Sequence, residues 1–154
     1  MQKSPNPMAP GVAVGITEPM IEALVSHFYA RVRRDEMLGP IFNNAIDDWP
    51  EHLRKLSAFW SSVTLMSGKY KGQPMVVHTA IPEINGSHFA RWLELFKSSA
   101  EAICPPTAAA LFVDRSERIA QSLQLGIAMH RGESIIPPLR AAREPALQQS
   151  DQQD

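Results

Sequence analysis

"TEPMIEALVSHFYARVRR", residues 17–34, decides between helix and strand for this chain. Its apolar residues Ile21, Leu24, Val25, Phe28 and Val32 recur every three or four positions, and steps of about 100° per residue place them on one helix face. Thr17 suits the cap of such a helix, because its hydroxyl accepts from a backbone N–H that the first turn leaves unpaired. Pro19 falls in that first turn, where a missing N–H costs nothing. Arg31, Arg33 and Arg34 close the stretch as a solvated helix end, where cations complement the dipole. Tyr29 sits at the border of the apolar face, beside Phe28.

The same period governs the chain on either side. Gly39-Pro40 breaks the first helix, and "PIFNN" reads as one short extra turn. Asp48 caps the next helix, with Glu51 completing a capping box and Trp49, Leu53, Leu56, Trp60 and Val63 as its stripe until Gly68. Ser87 is expected to cap a third long helix, with Phe89, Trp92, Leu93, Phe96, Ala100 and Ile103 on one side. Pro105-Pro106 separates it from a fourth, running to about Gly132, with Phe112, Ile119, Leu123 and Ile127 inward. Between the second and third lies an irregular connection, 67–86, broken by Gly68, Gly72, Pro74, Pro82 and Gly86. The fold class is therefore all-α. Residues 1–15, with three prolines and two glycines, and 133–154, ending "LQQSDQQD", are expected to be flexible, because neither buries enough to offset its ordering entropy.

Bulk properties narrow the function. The 154 residues suit one domain, and 44% hydrophobic content supplies a sizeable core. A formal charge of -1 and a pI near 6.5 argue against nucleic acid, which selects a clustered basic surface. No stretch approaches the roughly 20 apolar residues that span a bilayer. Pro5, Pro7 and Pro10 interrupt any signal-like run, so a cytoplasmic location is expected. A lone Cys104 before Pro105 excludes an intrachain disulfide and reads as a small apolar filler. Phosphate loops, paired-histidine zinc helices and nucleophile elbows are all missing from the sequence.

What stands out is a set of polar side chains on apolar faces. His52 shares an arc with Leu56, Phe59 and Val63 and so points inward, with Lys55 at the edge of that arc. Tyr29 borders the first apolar face, and Trp92 lies inside the third helix's stripe. His78 stands in "GQPMVVHTAIP", residues 72–82, with no nearby Cys, Asp or second His to complete a metal site. Each alone is explained as core packing. Together, on different elements, they point to a shared polar guest, since a buried polar group left unpaired costs roughly 1–3 kcal/mol. His27, His88 and His130 are assigned to structure: the first points away from its apolar face, the second lies off the stripe, and the third ends a helix.

These residues carry a resemblance. "SHFYARVRRDEMLGPIFNNAI", "DDWPEHLRKLSAFW", "YKGQPMVVH" and "FARWLELF" follow one another as in the truncated haemoglobins, most like the third group, from about Thr17 to Gly132. The absence of the Gly-Gly pairs of the first two groups supports that subgroup. The resemblance implies a two-over-two helical sandwich around haem b, spanning 16–132. It makes His78 the proximal ligand of a pentacoordinate iron, Tyr29 the main distal hydrogen-bond donor, His52 the distal histidine and Trp92 the distal-pocket tryptophan. Phe28, Phe42, Leu56 and Phe59 would line the haem or its distal cavity. Lys55 would meet the propionates, with Arg54 and Tyr70 as further candidates. A single imidazole suffices as protein ligand because the porphyrin supplies four donors.

Function follows from the donors. A dioxygen ligand takes on partial negative charge that carbon monoxide largely lacks, so donors at Tyr29 and Trp92 favour it, each by roughly 1.5–3 kcal/mol. Release is then slow, which suits turnover better than transport. The expected ligands are dioxygen, nitric oxide and similar molecules, and the expected chemistry is nitric oxide dioxygenation or a peroxidase-like reaction with His52 as acid–base group. Either needs an electron donor. An oxygen carrier, store or sensor without turnover is the alternative, and a cofactor-free helical interaction module is the alternative of a different class. A monomer or weak dimer is expected, with no nucleic-acid or membrane partner.

Overall fold

The computed structural model describes residues 6–72 and 84–132. They form six helices and no strand: α1 Pro10–Ala13, α2 Glu18–Arg34, α3 Gly39–Ala45, α4 Trp49–Leu65, α5 Gly86–Ile103 and α6 Pro106–His130. α2 packs on α4 and α5 on α6, and α2 also lies against α5, so two helix pairs are stacked. None of these helices is long and apolar enough to cross a membrane.

The caps explain where most helices start. Thr17 accepts from the Met20 N–H at 3.3 Å, and Asp48 from the Glu51 N–H at 3.1 Å, as expected from sequence. At α5 the expectation fails. Asn85, not Ser87, is the cap: its side chain accepts from the Ser87 and His88 N–H groups at 2.9 and 3.4 Å. The His88 Nδ1 accepts the Asn85 N–H at 3.1 Å in return, so a histidine closes a capping box usually closed by Glu or Gln.

α3 is longer than the single turn expected: Pro40 lies in its first turn, and Asp35 anchors its approach. The Asp35 carboxylate accepts from the Met37 and Leu38 N–H groups and pairs with Arg91 of α5 at 2.7 Å. Its burial alone would raise its pKa, but the Arg91 hydrogen bond and the two backbone amides outweigh that and hold it below the ordinary carboxylate range. Asn43 of α3 donates to the Arg33 carbonyl at 3.1 Å, satisfying an acceptor that the end of α2 leaves open.

Of the N-terminal segment expected to be flexible, residues 6–15 are among those described. Ala9 is only 3% exposed, Gly11 is buried, and the Asn6 N–H donates to the Leu65 carbonyl at 2.9 Å. α1 packs on α4 because residue 11 is glycine: a Cβ there would lie 2.5 Å from the Thr64 carbonyl oxygen. The expected tail at 133–154 lies outside the described residues.

Ile21, Leu24, Val25, Phe28 and Val32 are all buried, as the α2 stripe predicts, and Tyr29 joins them instead of standing at the border. The main core is an aromatic stack: Trp60 lies on Phe96 at 5.0 Å between centroids, and Phe96 on Trp92 at 5.3 Å. Phe112 meets Trp60 edge-on, and Phe28 meets both Phe96 and Trp92 in the same way. Burying each such ring contributes on the order of 1.5–3 kcal/mol. A smaller cluster of Ile84, Phe89, Ala120, Leu123 and Ile127 sits apart. Ile119 packs against both. The separation of the two clusters leaves room for the site.

Candidate functional site

A cavity of about 550 Å³ opens between the two clusters, within the range of about 300–1,000 Å³ where small-molecule and cofactor sites fall. α2 contributes Tyr29, α3 Ile41 and Phe42, and α4 His52, Leu56 and Phe59. α5 contributes His88, Phe89 and Trp92, and α6 Ile119 and Leu123. Steps of three and four residues bring these side chains to one face of each long helix. Lys55 of α4 lies on the margin with Lys69, Tyr70 and Lys71 from the stretch after it, and among the described residues no Asp or Glu lines the cavity.

Tyr29 is buried there, 4% exposed. Burial pushes its phenol up to about 12, although a hydrogen bond with Trp92 opposes the shift. Trp92 is in turn fixed by its stack on Phe96 and by the edge of Phe28. Tyr29 and Trp92 thus stand together on the cavity wall, the indole on the same side as the phenol.

His52 is half-buried at the cavity wall, its ring edge-on to Tyr29 at 6.2 Å and to Trp49 at 5.6 Å between centroids. On the margin, Lys69 pairs with Glu18 at 3.1 Å, and the same carboxylate accepts from the Ser61 Oγ at 2.7 Å. Ser61 lies 2.6 Å from Ser67, so a buried polar chain ties the start of α2 to the loop that carries Lys69.

Of the residues read from sequence, Tyr29, His52, Lys55, Leu56, Phe59, Phe42, Tyr70 and Trp92 meet at this cavity. Phe28 does not. One residue before Tyr29, it is rotated by about 100° into the α2–α5 interface, where it is fully buried behind Trp92. Arg54 points away, 70% exposed and paired with Glu51. His78 lies outside the described residues. Two of the histidines assigned to structure hold structural places, and one of them has a second position as well. His27 is half-buried and bridges to Ser99 of α5 at 3.0 Å. His88 closes its cap and also lines the cavity, and its position four residues before Trp92 was the available signal. Cys104 is buried, which raises its thiol to about 11 and leaves it protonated as an apolar filler near neutral pH.

An all-α shell around an apolar cavity, with cations on one margin and a phenol proton inside, defines a class: proteins that enclose a flat, largely apolar group bearing carboxylates. The chain belongs to the bacterial-like globin family, which matches residues 13–124. It is 36% identical over 113 residues, 71% of its length and 89% of the relative's, to the group 3 truncated hemoglobin ctb of Campylobacter jejuni. The crystal structure of the group III truncated hemoglobin from that organism aligns at a TM-score of 0.68 and 37% identity, covering 71% of this chain and 89% of that one. The group II truncated hemoglobin from Bacillus anthracis aligns at 0.61 and 28%, covering 77% and 92%. Both the likeness to the third group and the two-over-two sandwich are thereby borne out.

Haem b is the cofactor of this family. The residues present fit it: Leu56, Phe59, Phe89, Ile119 and Leu123 offer apolar surface to a porphyrin, and Lys55 and Lys71 offer cations to its carboxylates. Such pairs are part-exposed and worth under about 1 kcal/mol each, so they orient the group while the walls hold it. Small-ligand binding at haem replaces the cofactor-free module as the account of the cavity.

Proposed function

We propose that this chain takes up dioxygen and nitric oxide at haem gripped by His78 and converts them to nitrate, one electron per turnover coming from a separate donor. When bound, haem supplies an iron that accepts small diatomic ligands and exchanges electrons with them. The single observation behind the reading is the Tyr29 phenol, buried on the cavity wall beside Trp92. Its raised pKa keeps the phenol protonated, and so a donor, at any physiological pH. A donor in a water-poor, preorganised position favours a ligand that gains negative charge. Lys55 and Lys71 orient the carboxylates, and the apolar walls exclude water.

Rapid mixing of the oxygenated protein with nitric oxide tests the proposal. Stoichiometric nitrate with loss of the oxygenated spectrum within the mixing time supports it; nitrite, or slow decay, overturns it. Tyr29→Phe is expected to speed dioxygen dissociation by about tenfold or more, the equivalent of one hydrogen bond of about 1.4 kcal/mol or more. A peroxidase-like second reading is favoured by one feature: His52, an acid–base group, lines the same cavity as Tyr29.

A further inference from the structure

We infer that Trp49, clamped from outside by Arg33, is a positioning residue that sets the His52 imidazole at the cavity and so governs how fast small ligands enter. The inference rests on the cavity being a ligand site, but not on which ligand is turned over. Trp49 opens α4 three residues before His52, a spacing that puts both on one face. It is 7% exposed and does not itself line the cavity, so its influence passes through its neighbours. Trp49, His52 and Tyr29 form a triangle of rings, with centroids 5.6, 6.1 and 6.2 Å apart. His52 meets both of the others edge-on, at 88°.

The outer face of Trp49 is covered. The Arg33 guanidinium lies 4.6 Å from the indole centroid, and the Arg33 carbonyl accepts from Asn43 of α3. Arg33 is itself exposed, so the clamp joins the surface, the end of α2, α3 and the first turn of α4 around one indole. Cation–π and edge-to-face contacts of this kind bias a side-chain population by about three- to tenfold. His52 is half-buried and forms part of the cavity wall, which is where its ring position acts on entering ligands. Loosening Trp49 removes one of the ring contacts that set the imidazole and also its contact with Tyr29, and the His52→Leu background separates the two effects.

Carbon monoxide association with the haem-loaded ferrous protein, followed by flash photolysis, is the test. Trp49→Leu is expected to change the association rate by about threefold or more in the His52 background and by less than about twofold in a His52→Leu background. Equal changes in both backgrounds overturn the inference, because Trp49 then acts independently of His52. Trp49→Phe keeps an edge-on ring and is expected to restore most of the native rate. In the haem-free protein, the His52 imidazole proton resonances are expected to move in Trp49→Leu, and unmoved resonances overturn the contact. Should Trp49→Leu not fold, Arg33→Gln at the exposed position substitutes: a smaller change in the same direction, lost with His52→Leu, supports the clamp, and no change overturns it. If Tyr29→Phe leaves dioxygen release unaltered while this non-additivity holds, the proposed turnover fails and the entry control stands.

Discussion

At the scale of single residues, Tyr29 concentrates the chemistry. It is buried on the cavity wall beside Trp92, and burial keeps its phenol protonated. The chain has two tyrosines, so a titration of phenolate absorbance resolves them. Tyr70 is also raised by burial, to a lesser degree, while Tyr29 is pushed to about 12. A step near pH 12 in the haem-free protein, absent in Tyr29→Phe, is the expected result; a single step at the ordinary tyrosine value contradicts the buried assignment. The sign for stability follows. A folded pKa above the unfolded value of about 10 leaves stability intact below pH 10 and removes it as pH rises towards 12. The loss is on the order of 2–3 kcal/mol, measurable by chemical unfolding at pH 9 and pH 12 against Tyr29→Phe.

At the scale of elements, the stripes of α2, α4, α5 and α6 were legible because core-facing residues must recur at the helical period. α1 was not. Four residues with a proline and a glycine carry no period, and their order comes from a close approach to α4. Gly11→Ala places a methyl 2.5 Å from the Thr64 carbonyl oxygen, and backbone cannot yield cheaply. The expected cost is about 1–3 kcal/mol in chemical unfolding, and a wild-type midpoint would show that α1 stands free of α4. The misplaced cap at α5 has a similar origin. Asn85 and Ser87 are both good capping residues, and only the path of the backbone entering the helix chooses between them. Phe28 was misjudged because adjacent residues on a broad apolar face look alike, yet a rotation of about 100° sends one to the core and the other to the cavity.

At the scale of the whole molecule, Ile119 packs against both apolar clusters of the described residues, and the space between them is the cavity. Filling that space with haem ties both clusters to one rigid group. Haem binding is therefore expected to raise the unfolding temperature of the whole chain, as any ligand specific to the folded state does. His78→Ala is expected to abolish retention of haem on gel filtration, with added imidazole restoring it. Full haem occupancy in that variant without imidazole would remove His78 from its proposed place as proximal ligand.

The sequence by itself determined the all-α class, the four long helices and the polar residues that gather at the cavity, because periodicity, capping chemistry and the misfit of a polar side chain on an apolar face are local properties of a chain. The tertiary structure alone decided that Trp92 stands beside Tyr29 on the cavity wall, that His88 closes a cap while facing the cavity, and that Arg33 covers Trp49. Those relations join residues on different helices or depend on how a backbone enters one. Helical spacing states which way a side chain points, and only the packing of helices states what it meets.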